Sequence, residues 1–196
     1  MSRREEKAAA TRQQLVNAAF HCLVNYGYHR TTTVAVCEQA GLARGTMLHH
    51  FPNKESLMLA TLEDVLARRV SEFQAGLVGV DPTDLAFMVR QLWTALKGPT
   101  FGAWLELAVA ARTDAVLARE FRKVMDGFDA LVGVVVEHSV APEMALGYDL
   151  KMAVSLVFTC LNGLALDLVQ VDEAVVDEKV ELLIAWLRER GTAENK

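Results

Sequence analysis

The residues best suited to chemistry lie in a short segment, residues 44–50, that follows a glycine-containing turn. Arg44 begins this segment, and arginine is the side chain best able to donate two hydrogen bonds to O6 and N7 of guanine. Four apolar residues can pack the segment against the preceding helix: Val36, Ala40, Leu42 and Met47. That packing leaves an outward face made of Arg44, Gly45, Leu48 and His49. The spacing predicts a helix-turn-helix over about residues 32–51, whose second helix can enter a DNA major groove.

The charge of the chain changes sign along its length. The net charge is −5 overall, yet residues 1–56 carry seven Lys or Arg against four Asp or Glu, a net +3. Residues 57–196 carry 13 against 21, a net −8. A basic segment joined to an acidic remainder is the pattern expected when one end of a protein meets phosphates and the rest does not. The charge distribution therefore supports a nucleic-acid partner for the first quarter of the chain.

Other chemistries have little support in the residue pattern. Adjacent His49 and His50 point about 100° apart on a helix and cannot chelate one metal ion by themselves. The sequence has no Ser/His/Asp ordering, nucleophile elbow, Glu-x-x-His pair or Gly-rich phosphate loop. Cys22, Cys37 and Cys160 lack a Cys-x-x-Cys spacing, so we expect small core residues rather than a disulfide or zinc site. We predict no catalytic residue, metal or cofactor, although a helical small-molecule enzyme and a protein-interaction module stay open as alternatives.

The periodicity is helical throughout, with breaks at Gly, Pro and Asx residues, and it predicts an all-α fold. About nine helices are expected, over residues 8–26, 33–40, 44–50, 54–77, 82–97, 100–112, 114–138, 148–171 and 173–190. The most apolar stretch, Met152 to Val171, contains five polar residues, among them Asp167. An acidic residue within a membrane is costly, so this stretch favours a buried or interface helix.

Several short motifs keep a fixed order and spacing in the first third of the chain. They are Thr11-Arg12, Ala18-Ala19, Tyr26-Gly27-Tyr28, Thr31-Thr32, Ala40-Gly41-Leu42, Gly45-Thr46-Met47 and the run from His49 to Leu57. This pattern resembles the head of the TetR (tetracycline-repressor) family of transcriptional regulators. The resemblance covers about residues 9–69 and implies a three-helix DNA-binding domain there, followed by a larger helical ligand-binding and dimerisation domain over residues 70–196.

The resemblance also implies a set of DNA-contacting residues: Thr32, Thr33, Arg44, Gly45, Thr46, Leu48, His49, His50 and Lys54. Thr32 and Thr33 stand at a helix start, where hydroxyls and unpaired N–H groups can meet phosphate. Arg44 matches a base-reading position. Lys54, in the first turn of the fourth helix, matches a phosphate contact that adds affinity without base preference.

Two positions depart from the family pattern. Ala43 stands where the family usually has a Ser or Thr that caps the recognition helix. Leu48 stands where it usually has a phosphate-binding Tyr, so one contact is lost or replaced by apolar contact with a thymine methyl group. His49 and His50 can compensate with phosphate contacts that strengthen as the pH falls.

Bulky apolar side chains in the second domain are candidates for the wall of a ligand pocket, since such pockets are mostly apolar with a few polar anchors. The candidate wall residues are Phe87, Met88, Trp93, Phe101, Trp104, Phe121, Met125 and Phe128. The candidate polar anchors are Glu106, Arg112, Thr159 and Asn162. They predict a small hydrophobic effector.

The last two predicted helices carry apolar stripes that include Leu156, Leu161, Leu164, Leu168, Val180, Leu183, Ile184 and Leu187. As the family resemblance implies, such stripes suit a four-helix bundle between two subunits, although a monomer that buries them internally stays possible. We therefore expect a cytoplasmic homodimer that represses transcription from a palindromic operator and is released by its ligand.

Overall fold

The computed structural model describes residues 2–76, 78–79, 81, 83–139 and 149–193. Within these residues the secondary structure is helical and contains no strand. The helices are α1 (Arg3–Arg30), α2 (Thr33–Ala40), α3 (Arg44–His50), α4 (Lys54–Gly76), α5 (Leu85–Leu96), α6 (Pro99–Ala111), α7 (Ala115–Ser139), α8 (Leu150–Asp167) and α9 (Glu173–Ala193). The predicted all-α fold is confirmed, while the helix starts predicted at residues 82 and 148 lie outside the described residues.

Helix α1 begins earlier than predicted, and its regular part is interrupted at Gly27, directly after the end predicted at residue 26. It begins with a capping box, in which the Ser2 hydroxyl accepts the Glu5 N–H and the Glu5 carboxylate accepts the Ser2 N–H. The helix therefore starts at Arg3 rather than at residue 8. Near the other end, Gly27 has a φ of 75° and a ψ of 170°. Glycine adopts such a backbone conformation readily because it has no Cβ atom. The chain bends there and resumes a helical turn that runs to Arg30.

The helix-turn-helix is built from local signals. The Thr32 side chain accepts the Ala35 N–H at 3.1 Å and caps α2. Gly41 ends α2 with a φ of 64°, and its N–H donates to helix carbonyl groups. Ala43 precedes α3 without a side-chain cap. The predicted turn between the two helices is present, and α3 has no side-chain cap, as expected for Ala43.

The described chain divides into two compact units. The first unit comprises the residues up to Arg68 together with Pro99–Phe128, and the second comprises Arg69–Gly98 together with the residues from Asp129 onward. In the first unit, α1 packs against α2, α3 and α6. Ala103 and Leu107 of α6 belong to the same apolar core as the buried residues of α1 to α4. Helix α6 is therefore part of the core on which the helix-turn-helix rests.

The second unit is held by contacts among α5, α8 and α9. Leu161, Val180 and Ile184 are buried in it. These three residues belong to the stripes expected to face a second subunit, and that expectation is wrong for them, because they are covered within their own chain. Helical periodicity gives the direction of an apolar face but not the identity of the element that covers it.

The cysteines differ from one another in environment. Cys22 and Cys37 are buried core residues, as predicted, and burial raises the pKa of both thiols. A raised thiol pKa leaves little reactive thiolate at neutral pH. Cys160 is exposed on α8, so the prediction of a core position is wrong for this residue.

Candidate nucleic-acid interface

The outward face of α3 is held in place by one buried side chain. Met47 is fully buried in the core of the first unit, whereas Arg44, Gly45 and His49 are exposed and Leu48 is 46% exposed. Because Met47 fixes the rotation of this short helix, the side chains that point away from the core have a defined direction. Thr46 and His50 flank the face and are half-buried. The structure thus places the predicted base-reading residues on one free surface.

The start of α2 presents the threonines predicted to contact phosphate. Thr32 is exposed and Thr33 is half-buried. The Thr32 oxygen accepts the Ala35 N–H, which leaves its hydroxyl proton available as a donor. The exposed hydroxyl can therefore donate to phosphate while it caps the helix.

The side chain of Lys54, at the start of α4, is held by two contacts with Tyr28. Its Nζ donates to the Tyr28 carbonyl oxygen at 2.9 Å and lies 3.9 Å from the centroid of the Tyr28 ring. Burial lowers the pKa of Lys54 below its ordinary value. An ammonium group has three donor hydrogens, so one hydrogen bond to a carbonyl leaves two for an incoming phosphate. The predicted phosphate contact is thus oriented by Tyr28, a residue to which the sequence assigned no role.

Tyr28 is in turn held from α6. Its N–H donates to Glu106 Oε2 at 2.7 Å, and Glu106 is half-buried. Residue 28 lies far along the chain from residues 54 and 106, so no local spacing links the three. Only the tertiary structure brings them together.

Comparison with known proteins places this geometry in a family. Residues 15–61, the segment that holds the core of α1 and all of α2 and α3, match the family of bacterial regulatory proteins called the tetR family. The chain belongs to the tetR family. An uncharacterized HTH-type transcriptional regulator of Mycobacterium tuberculosis is 30% identical over 132 residues, which make up 66% of this chain and 66% of that protein. The identification drawn from the sequence motifs is confirmed.

Solved structures extend the likeness in fold to nearly the whole chain. A TetR-family transcriptional regulator from a Rhodococcus species superposes with a TM-score of 0.74 at 16% identity, over 91% of this chain and 98% of that chain. A transcriptional regulator from Saccharomonospora viridis, solved in complex with choline, gives a TM-score of 0.69 at 15% identity, over 92% of this chain and 96% of that chain. At these identities the likeness concerns the fold.

The candidate ligand residues of this tetR-family protein fall in both units. Those in the first unit are Phe101, Trp104, Glu106, Arg112, Phe121, Met125 and Phe128, and those in the second are Phe87, Met88, Trp93, Thr159 and Asn162. Trp93 is buried and its indole N–H donates to Asp177. Asn162 accepts a hydrogen bond from Arg69 at 3.3 Å, and the exposed Thr159 hydroxyl donates to the Ser155 carbonyl oxygen. Their role in ligand binding stays a prediction.

Two further features bear on ligands and location. Among the described residues, no group of three or more His, Cys, Asp or Glu side chains is arranged to hold a metal ion.

Leu150–Asp167, the whole of α8, is long and apolar enough to cross a membrane, with a mean hydropathy of 1.4, and only 11% of it is buried. Length and composition alone are weak evidence for a membrane span, because an apolar helix that packs against another protein surface has the same properties.

Proposed function

We propose that this protein is a homodimeric repressor that binds a palindromic operator and releases it when a small hydrophobic molecule binds. The observation that carries the proposal is the exposed face of α3, with Arg44 at its start, fixed by the fully buried Met47. In helix-turn-helix proteins the second helix lies in the major groove and its first residues contact base edges. The proposal assigns the chain no catalytic step.

The roles of the DNA-contacting residues divide by chemistry. Arg44 reads guanine through two hydrogen bonds, and Leu48 meets a thymine methyl group. Thr32, Thr33 and Lys54 bind phosphate and set the position of the head on the duplex. Functionally, we assign DNA binding to residues 9–69 and ligand binding with dimerisation to residues 70–196.

A second copy of this chain is the proposed occupant of the apolar surface of α8 and α9. Met152 is 67%, Leu156 is 63% and Trp186 is 61% exposed in the single chain. Large apolar side chains exposed in this way suit an interaction site. Two helices from each subunit then form a four-helix bundle around a two-fold axis, as a palindromic operator requires. A homodimer of this kind acts in the cytoplasm, where the DNA is.

The effector is proposed to bind within residues 70–196 and to favour a dimer geometry whose heads no longer fit neighbouring major grooves. The apolar character of the candidate residues suits a hydrophobic molecule with few polar groups. The choline complex of the Saccharomonospora viridis regulator supports the view that this fold accommodates small organic ligands.

The decisive experiment is the selection of bound sites from random duplex DNA with the purified full chain. We expect an enriched palindrome whose half-sites lie about one helical turn apart. Native mass spectrometry of the same preparation is expected to show a dimer that carries a small apolar molecule. Selection that enriches no palindrome would contradict the central proposal.

A further inference from the structure

The bend in α1 presents a backbone N–H group to α6. The non-helical torsions of Gly27 interrupt the helix, and Tyr28 is the first residue of the turn that follows. The first N–H groups of a helical turn have no partner within it. Glu106 supplies one, since its Oε2 accepts the Tyr28 N–H at 2.7 Å.

Glu106 packs closely against the bend. A Cβ atom placed on Gly27 would lie 3.0 Å from Glu106 Oε2. The position therefore favours glycine both for its positive φ and for the close approach of the carboxylate. These contacts fix the place of residue 28 relative to α6 within the first unit.

Tyr28, fixed in this way, in turn contacts the Lys54 side chain. Its carbonyl oxygen accepts a hydrogen bond from Lys54 Nζ, and the face of its ring lies under the ammonium group. A cation over an aromatic face is attracted by the ring quadrupole. The lysine head group is thus held through two features of one residue, and that residue is held by Glu106.

We propose that Glu106 is a positioning residue for DNA binding, which acts through Tyr28 to orient the Lys54 ammonium towards a DNA phosphate. The proposal rests on the phosphate role given to Lys54 above. It gives Glu106 a part in DNA affinity in place of the polar anchor for a ligand that the sequence suggested. A long, flexible lysine loses rotamer entropy when it binds phosphate, and pre-orientation reduces that loss.

The test measures the affinity of the full chain for a random-sequence duplex at several salt concentrations, since a phosphate contact does not depend on base sequence. We expect Glu106→Ala to weaken binding about threefold to tenfold. We also expect the slope of log affinity against log salt to fall by about 0.9 for each bound subunit. Glu106→Asp keeps the charge but draws the carboxylate back, so it should reproduce this loss. Glu106→Gln retains an acceptor oxygen and should stay close to the parent.

Two controls separate positioning from general effects. Glu63→Ala removes a negative charge from an exposed position on α4, and on charge grounds alone it should strengthen DNA binding slightly. The weaker DNA binding expected for Glu106→Ala is therefore opposite in sign to the effect of removing one negative charge. In the Lys54→Ala background, Glu106→Ala should cause little further loss, because both changes remove the same contact.

The possible results distinguish the proposal from the function on which it rests. If Glu106→Ala and Glu106→Asp lower the melting temperature but keep the parent's salt slope, Glu106 is only a structural residue. Losses that add fully to that of Lys54→Ala also overturn the proposal. If Lys54→Ala itself binds DNA with the parent's affinity and slope, the phosphate role of Lys54 is wrong.

Discussion

The buried guanidinium of Arg69 donates a hydrogen bond to the side-chain oxygen of Asn162, 3.3 Å away in the second unit. Burial lowers the pKa of Arg69 to about 10, against the opposing influence of Glu72. A lowered pKa in a base means that folding disfavours its charged form. The second unit therefore keeps a buried cation at a cost in stability.

Replacement of Arg69 by Met is expected to leave the free energy of unfolding unchanged or to raise it by about 1–2 kcal/mol at neutral pH. Methionine fills similar space without a charge, and the Asn162 amide is only half-buried. Urea unfolding followed by circular dichroism measures the difference. Arg68→Met is the matched control, because Arg68 is more exposed and forms an ion pair with Asp64, and its loss should cost about 0.5 kcal/mol.

The difference in stability between the parent and Arg69→Met depends on pH through the same pKa. Below pH 10 the Arg69 guanidinium is charged in both the folded and the unfolded chain. As the pH rises through about 10, the folded chain releases this proton while the unfolded chain keeps it. The unfolded chain then binds more protons, so the stability of the parent rises relative to Arg69→Met.

A decrease of more than about 2 kcal/mol in the free energy of unfolding of Arg69→Met at neutral pH would contradict this expectation. It would show that the partners of Arg69 more than offset the cost of burying its charge.

Replacement of Arg44 by Ala should relax base preference more than it weakens binding to random DNA. Arg44 is exposed at the start of α3, where a side chain can reach base edges. A lost pair of hydrogen bonds to guanine removes about 1–3 kcal/mol of discrimination at one position of each half-site. Site selection with the variant measures this change.

The comparison variant for Arg44 is Lys54→Ala, which should weaken binding to all sequences about equally and reduce the salt slope. Equal, sequence-independent losses from the two variants would contradict the division of roles between base reading and phosphate binding.

Much of the head was predictable because its signals are local. Thr32 and Gly41 mark the ends of α2 by their own chemistry, and the Gly27 bend needs only one residue. The hydrogen bonds that organise Lys54 are not local, since Glu106 joins Tyr28 across 78 positions of sequence. Likewise, the covering of Leu161 within its own chain depends on packing that periodicity does not reveal.

Ala43→Ser should stabilise the protein by about 1 kcal/mol. Ala43 precedes α3 in an extended conformation, with a φ of −68° and a ψ of 146°, and makes no cap. A serine hydroxyl at this position can accept an N–H of the first turn, which now has no side-chain partner at the cap. Urea unfolding measures the gain. Ala9→Ser, at an exposed position within α1, is the control and should lose a few tenths of a kcal/mol. A gain no larger than zero in Ala43→Ser would show that the serine does not adopt the capping rotamer.

Leu156→Glu should dissociate the proposed dimer. Leu156 is 63% exposed in the single chain on α8, a helix of which only 11% is buried. A carboxylate placed in an apolar interface loses its hydration without a compensating partner. The two-fold symmetry introduces the charge twice, so dimer affinity should fall at least about 100-fold. Sedimentation velocity over a range of protein concentrations measures this loss.

Val109→Glu provides the matched control, because Val109 is 56% exposed on α6 and lies outside the proposed interface. It should remain dimeric, with the parent's melting temperature within a few degrees. The monomeric Leu156→Glu chain should still bind a single half-site, but weakly, because two linked heads raise the effective concentration of the second one. If Leu156→Glu stays dimeric and binds the full palindrome with the parent's affinity, the interface must lie on another surface, and α8 needs a different partner.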